Sequence, residues 1–282
     1  MILASTRAGL HRALEKVHGK GLSLGLIPTM GYLHDGHLSL VDETRERADF
    51  IAASVFVNPL QFGPGEDLDR YPRDLDRDMA LLEARGVDLV FHPSVEEMYP
   101  GGDPEVTVDP GPMGSVLCGA YRPGHFRGVL TVVARLFGLF RPRFAAFGQK
   151  DYQQAVLIRR MVLDLEMDVQ ILTGEIVREE DGLAMSSRNV FLTPEAREDA
   201  LGLFRGLQVL GRGFAEGETS SGALKGIFRE VLSRHPRLAL QYLELVDPET
   251  LEPVDPAFPG TVAMVAGYCG LTRLIDNQVL GS

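Results

Sequence analysis

Sulfur chemistry is almost absent from this sequence: its 282 residues hold two cysteines, Cys118 and Cys269, far apart and outside any CxxC arrangement. That scarcity excludes a disulfide framework and a zinc ribbon, and it fits a reducing compartment, the cytoplasm. Positive charge is also in short supply. A net charge of −11 disfavours nonspecific binding to nucleic acid or to an anionic membrane, so neither is an expected partner, and an anionic substrate must meet a local cluster of Lys and Arg. Long apolar runs are missing too: the longest, 129–140 and 262–271, are too short to cross a bilayer. Residues 1–20 place Leu10, Leu14 and Val17 at helical spacing among charged residues, without the continuous apolar core of a signal peptide, which predicts a soluble, unprocessed chain. Internal repeats and low-complexity tracts are absent.

What is present is alternation. Short aliphatic runs at 22–27, 50–57, 87–91, 144–147 and 169–172 are separated by helical patterns at 38–48, 75–85, 129–140 and 152–163. This order predicts an α/β fold, a Rossmann-like parallel sheet with helices on both faces. After about residue 190 the alternation stops: 194–214 and 222–234 read as helices, and 240–246, 262–268 and 271–275 as strands. The length suits two domains: a Rossmann-like domain over 1–180 that binds ligands, and a smaller C-terminal α+β domain over 181–282. The Gly- and Pro-rich stretch 99–128 is the longest irregular segment, and an ordered loop of that length points to function.

Ligands bind such sheets at the carboxyl ends of the strands, and three polar loops are predicted to meet there: the His34/His37 segment, Asn58-Pro59-Leu60-Gln61-Phe62 and Gly148-Gln149-Lys150-Asp151. In Pro28-Thr29-Met30-Gly31-Tyr32-Leu33-His34-Asp35-Gly36-His37, Pro28 is expected to end a strand, Gly31 and Gly36 to permit a tight turn, and a helix to begin near Leu38. A helix start favours anions through its N–H groups and dipole, and His34 and His37 can there face phosphoryl oxygens. A capping or surface role is the plainer reading of the pair. A metal site lacks a Cys or third His at ligand spacing. Gly148-Gln149-Lys150-Asp151 follows a later strand. A cation such as Lys150 at the positive end of a helix is electrostatically misplaced unless an anion is bound. Met185-Ser186-Ser187-Arg188-Asn189 offers hydroxyls, amides and a guanidinium for an anion clamp, with a capped turn as its plainer reading. Gln61 and Gln154, each donor and acceptor, suit a hydroxylated small molecule better than a phosphate. Arg122 and Arg127 can receive a carboxylate or phosphate, or brace their loop.

The motifs PTMGYLHDGHLSLV, SVFVNPLQFGPGEDLDRYPR, RPGHFRGVLTVV, FGQKDYQQ, DGLAMSSRN and RLIDN, in this order and spanning nearly the whole chain, resemble those of the pantoate–β-alanine ligases, members of the HIGH-motif nucleotidyltransferase superfamily. The resemblance implies ATP-dependent condensation of pantoate with β-alanine through a pantoyl adenylate, with Mg²⁺ as the metal and a homodimer as the assembly. Because that intermediate is labile to water, the C-terminal domain over 181–282 is expected to act as a lid. It implies that Met30 to His37 form the first ATP-binding turn, with His37 in proton-donor chemistry and His34 beside it on the phosphates. Gly148, Gln149, Lys150 and Asp151 would also hold ATP, Lys150 on phosphate and Asp151 on the ribose side. Val177 would line the adenine pocket, and Met185, Ser186, Ser187 and Arg188 would be the mobile clamp. Gln61 and Gln154 would bind pantoate, and Gln61 also β-alanine. Cys118 departs from the family, where the residue before Gly119 is often acidic. The alternative function is another HIGH-motif adenylyltransferase acting on a small cofactor precursor. The acidic residues Asp67, Asp69 and Asp78 lie near the site, and nothing in the sequence distinguishes a Mg²⁺ ligand among them from a solvated face.

Overall fold

The computed structural model describes residues 1–281. The elements run β1 (Ile2–Ala4), α1 (Arg7–Gly19), β2 (Leu24–Thr29), α2 (Asp35–Arg45), β3 (Phe50–Val55), α3 (Leu75–Ala84), β4 (Leu89–Phe91), α4 (Val95–Met98), α5 (Cys118–Tyr121), α6 (His125–Phe140), β5 (Phe144–Gly148), α7 (Tyr152–Asp164) and β6 (Gln170–Gly174). Then follow α8 (Pro194–Ala215), α9 (Ser221–Leu232), β7 (Leu238–Val246), β8 (Val262–Cys269) and β9 (Thr272–Val279). The chain forms two compact units: residues 1–115, 119–149 and 157–175 make the first, and 116–118, 150–156 and 176–282 the second. The main boundary thus falls a few residues before the expected one at 180, and the second unit also takes in 116–118 and the Lys150 segment, 150–156.

In the first unit the strands are parallel, in the order β1-β4-β3-β2-β5-β6. Side chains alternate between the two faces. Ile27, Ile51, Ala53, Val55, Val90 and Ala146 meet Leu38, Leu40, Val41 of α2 and Leu82 of α3 on one face. On the other, Phe140 of α6 packs edge-on against Phe91 of β4, ring centroids 5.8 Å apart, and Phe137 against Phe147 of β5. Gly25 in β2 is where α2 comes closest, because a Cβ there would lie 2.3 Å from the Thr44 methyl. Leu10, Leu14 and Val17 are buried in α1 as their spacing predicts. The second unit packs α8 and α9 on the antiparallel sheet β7-β8-β9, around Leu203, Leu207, Phe228, Leu245 and Val265. The expected fold class is thus the one observed, a parallel sheet with helices on both faces plus a smaller C-terminal α+β unit.

Three local expectations are corrected. Pro28 does not end β2: the strand continues to Thr29 in register with β3, Pro28 opposite Ser54. Pairing with β5 stops at Leu26, so the proline stands where one flank of the strand has no ladder left to interrupt. The helix expected near Leu38 begins at Asp35, so Gly36 is helical and, of the two glycines, only Gly31, at φ +85°, is left-handed. Residues 2–4, read as part of an amphipathic amino terminus, form the edge strand β1 against β4.

Candidate active site

The sheet order reverses between β2 and β5, so the switch point, where open parallel sheets bind ligands, lies at the carboxyl ends of these two neighbouring strands. The residues after β2 are Met30 to His37, and those after β5 are Gln149 and Lys150. The segment after β3, the other neighbour of β2, leads to Asn58 and Gln61.

The turn after β2 is gripped by α3. Both oxygens of Asp78 accept backbone N–H bonds, from Tyr32 at 2.7 Å and from Leu33 at 2.8 Å. The Arg77 guanidinium donates to the Leu33 carbonyl at 2.9 Å and lies over the Tyr32 ring, 5.2 Å from its centroid. Tyr32 has φ +51°, a left-handed backbone that costs a side-chain-bearing residue roughly 1–2 kcal/mol, and these bonds hold it there. Gly31 has no alternative, since a Cβ would come within 3.0 Å of Asp78 Oδ2 and of Val55. Burial pushes the Asp78 carboxyl above its usual value and outweighs the two N–H bonds and nearby Arg77, which act the other way. Leu33 sends its side chain into the core, which leaves its backbone as the part available to a ligand.

With the turn so fixed, His34 takes the N-cap position of α2 and His37 lies in its first turn, beside the exposed Asp35. The i, i+3 spacing brings the two imidazoles together, centroids 4.0 Å apart and planes tilted by 41°. The His34 backbone N–H donates to His37 Nδ1 at 3.3 Å. An N–H can only donate, so His37 Nδ1 carries the lone pair and a neutral His37 carries its proton on Nε2. The capping role and a ligand-facing role are compatible in this pair.

Gln61 is buried in a 3₁₀ turn, Pro59–Gln61. Its Nε2 contacts Met30 Sδ at 3.3 Å and its Oε1 accepts from Asn58 Nδ2 at 3.1 Å. Its carbonyl is held by His125 Nδ1 at 2.8 Å and by Arg122 at 3.3 Å. Arg122 is itself bound through Nε and Nη2 to Glu66, at 2.8 and 2.5 Å. Burial works against the charged form of Glu66, but Arg122 outweighs it and holds the carboxyl below its usual value. Of the two expected roles for Arg122, bracing is the one its contacts serve, and Glu66 supplies the carboxylate. Arg127 pairs with Asp109 at the surface. The end of the 99–128 stretch, Arg122 and His125, therefore serves as a scaffold for Gln61.

The second unit gathers the remaining residues. Lys150 and Asp151 lie in a 3₁₀ turn ahead of α7, and Gln154 is half-buried in that helix's first turn. Asn277 of β9, almost wholly buried, donates to the Lys150 carbonyl at 3.1 Å. Its neighbour Asp276 binds Arg178 through both oxygens, at 2.7 and 3.0 Å. Arg178 follows Val177, whose carbonyl accepts from the Met185 N–H at 3.0 Å, closing a hairpin turned by Gly182 at φ +99°. Ser186 Oγ caps the 3₁₀ turn Ser187–Phe191 by accepting from the Arg188 N–H. Cys118 is buried, and its N–H donates to Gln153 Oε1.

Residues the sequence did not single out for these tasks are Asp78 as the turn's anchor, Asn58, Tyr99, whose hydroxyl donates to Asn58 Oδ1 at 2.8 Å, Asn277 and the Arg178–Asp276 pair. Asn58 carried a signal, an Asn before Pro at a turn, and RLIDN was visible as a motif without a role. Among the described residues no group of three or more His, Cys, Asp or Glu could hold a metal ion, and both Asp78 oxygens are already taken by backbone N–H groups. These residues do not fit a protein-borne Mg²⁺ cage. No helix among the described residues is long and apolar enough to cross a membrane.

The sequence matches the family model for pantoate-beta-alanine ligase over residues 2–279. It is 50% identical over 281 residues to the pantothenate synthetase of Thermotoga neapolitana, covering 100% of both chains. Its structure is similar to that of pantothenate synthetase from Thermus thermophilus, with a TM-score of 0.94, 50% identity and 99% of each chain covered. It is also similar, at a TM-score of 0.81 and 31% identity over 99% of this chain and 97% of the other, to a pantoate-beta-alanine ligase from Francisella tularensis complexed with beta-gamma ATP and beta-alanine.

Proposed function

The chain belongs to the pantoate–beta-alanine ligase family, and from that membership we propose that it condenses pantoate with β-alanine, using ATP and releasing AMP and pyrophosphate. The observation that carries this reading at the level of the site is the switch point: the His34/His37 turn leaves β2 and the Gly148–Lys150 segment leaves the adjacent β5.

A carboxylate and an amine do not condense in water because the carboxylate has no adequate leaving group. Adenylation supplies one. A pantoate carboxylate oxygen attacks the α-phosphorus of ATP in line, the bond to the bridging oxygen breaks and pyrophosphate leaves. The start of α2, the Nε2–H of His37, Lys150, the Ser186 and Ser187 hydroxyls and Arg188 are assigned to the charge that accumulates on phosphoryl oxygens. Met30 to Gly36, Gly148, Gln149, Asp151, Val177 and Met185 complete the nucleotide site, and Gln61 and Gln154 bind pantoate. The β-alanine amine, received beside Gln61, then attacks the acyl carbonyl and AMP departs. Mg²⁺, when bound, would ride on the nucleotide's own phosphates and neutralise part of their charge.

Isotope exchange tests the order of events. Labelled pyrophosphate is expected to enter ATP when pantoate is present and β-alanine absent, with AMP accumulating only once β-alanine is added. Exchange that requires β-alanine would remove the adenylate. A His37→Gln protein is expected to slow the exchange about ten- to a hundredfold, the worth of a hydrogen bond to a charged oxygen; an unchanged rate would strip His37 of its role.

A labile adenylate calls for exclusion of water, which we assign to movement of the C-terminal unit as a lid in a cytoplasmic homodimer. Small-angle scattering reads both points: the mass of two chains, and a smaller radius of gyration with ATP. A one-chain mass or an identical radius would refute the corresponding assignment.

A further inference from the structure

Gln61 has a carboxamide, and a carboxamide is ambiguous. Rotated by half a turn it offers a substrate an acceptor in place of a donor. The surroundings of Gln61 remove that ambiguity through a neighbour. Asn58 Nδ2 gives its two hydrogens to the Gly128 carbonyl, at 3.1 Å, and to Gln61 Oε1, at 3.1 Å. Its Oδ1 receives the Leu60 N–H at 3.4 Å and the Tyr99 hydroxyl at 2.8 Å. All four hydrogen-bonding positions of Asn58 are used. The shorter of the two bonds to Oδ1 comes from a side chain 41 residues away. Tyr99 is buried at the end of α4, its ring against Phe56 and the Arg135 guanidinium 5.8 Å from its centroid. Burial raises its phenol well above the usual tyrosine value, so the hydroxyl keeps its proton and can always donate.

We propose that Tyr99 is a positioning residue that, acting through Asn58, fixes the polarity of Gln61, so that Gln61 meets its substrate with an N–H and never with a carbonyl. The donor chain runs one way: Tyr99 O–H to Asn58 Oδ1, Asn58 N–H to Gln61 Oε1. Gln61 Nε2 is left beside Met30 Sδ, a weak acceptor that a substrate oxygen outcompetes. The group recognised is therefore an oxygen acting as acceptor, a carboxylate or the lone pair of a hydroxyl. The inference rests on the assignment of Gln61 to pantoate.

Tyr99→Phe deletes the hydroxyl and keeps the ring packing against Phe56 and Arg135. It is expected to raise the KM for pantoate about tenfold, the worth of one buried hydrogen bond, with the KM for ATP within twofold of wild type and the melting temperature nearly unchanged. The deciding readout is the pairing with Gln61→Ala. If Tyr99 acts through Gln61, Tyr99→Phe changes the pantoate KM of the Gln61→Ala enzyme by less than twofold. A tenfold effect in both backgrounds would overturn the proposal, as would equal rises in the KM values of pantoate and ATP, the result a general structural role predicts. A Gln61→Ala enzyme with wild-type pantoate KM would instead overturn the substrate assignment and the proposal with it. The two failures are therefore distinguishable.

Discussion

Asp78→Ala is expected to lower kcat/KM for ATP at least about a hundredfold and to cost roughly 2–6 kcal/mol of stability, the penalty for two backbone N–H groups left without acceptors at about 1–3 kcal/mol each. The two donors are those of Tyr32 and Leu33. Without the carboxylate, Tyr32 loses the acceptor that fixes its left-handed backbone, Arg77 alone remains on the turn, and the turn that sets the start of α2 relaxes. Displacement of a reacting group by about 1 Å is enough for a hundredfold loss. Steady-state kinetics and thermal melting read the two effects together, and wild-type values for both would show that the turn holds itself.

The same carboxylate predicts a pH effect in which activity and stability move in opposite directions. Its value in the folded protein is raised by burial above that of the unfolded chain, so the folded state holds the proton more tightly. The ionised group then costs stability, a cost absent below the unfolded value and complete above the raised folded one. Acidification through that window relieves the cost. It also converts one accepting oxygen into a hydroxyl and removes a bond from the turn. Activity is expected to fall on the acid side at a higher pH than an ordinary carboxylate would give, and Asp78→Asn is expected to abolish that limb. An identical acid limb in the Asn variant would assign it to another group.

Gly128→Ala is the second change of large expected effect. A Cβ at this position, in the first turns of α6, would lie 2.2 Å from the Leu60 carbonyl oxygen, 2.4 Å from its carbon and 2.6 Å from the Gln61 nitrogen. These are backbone atoms and have no side-chain rotation by which to escape. Either α6 or the Gln61 turn must shift, and the Gly128 carbonyl that receives Asn58 shifts with it. About 1–3 kcal/mol of stability and about a hundredfold in pantoate KM are expected to be lost. Gly138 is the control in the same helix: nothing lies within 4 Å of a Cβ there, so Gly138→Ala is expected to stabilise by up to about 1 kcal/mol through helix propensity. Similar behaviour of the two variants would mean that the close approach at Gly128 has no bearing on Gln61.

Asp78 and Gly128 mark where sequence reading stops. The alternation of apolar runs gave the parallel sheet, the three loops at the ends of adjacent strands, and the histidine, lysine and glutamine residues assigned to the chemistry. Each of those signals is local, a periodicity or a motif within a few residues. Asp78 stood out only as one of several acidic residues, because its purpose is defined by a turn 45 and 46 residues earlier. Asn58 was visible as part of a polar loop, but the four groups that saturate it come from α4, α6 and its own turn. Pro28 misled for the opposite reason: its local preference to end a strand holds only where both flanks pair, and here one flank had already stopped.

The bond from Asn277 to the Lys150 carbonyl joins residues 127 positions apart. At about 5–20 residues per second of synthesis, Asn277 is made roughly 6–25 s after Lys150. The parallel sheet needs nothing beyond Gly174, so a growing chain can complete that sheet well before the Lys150 segment is bonded to β9.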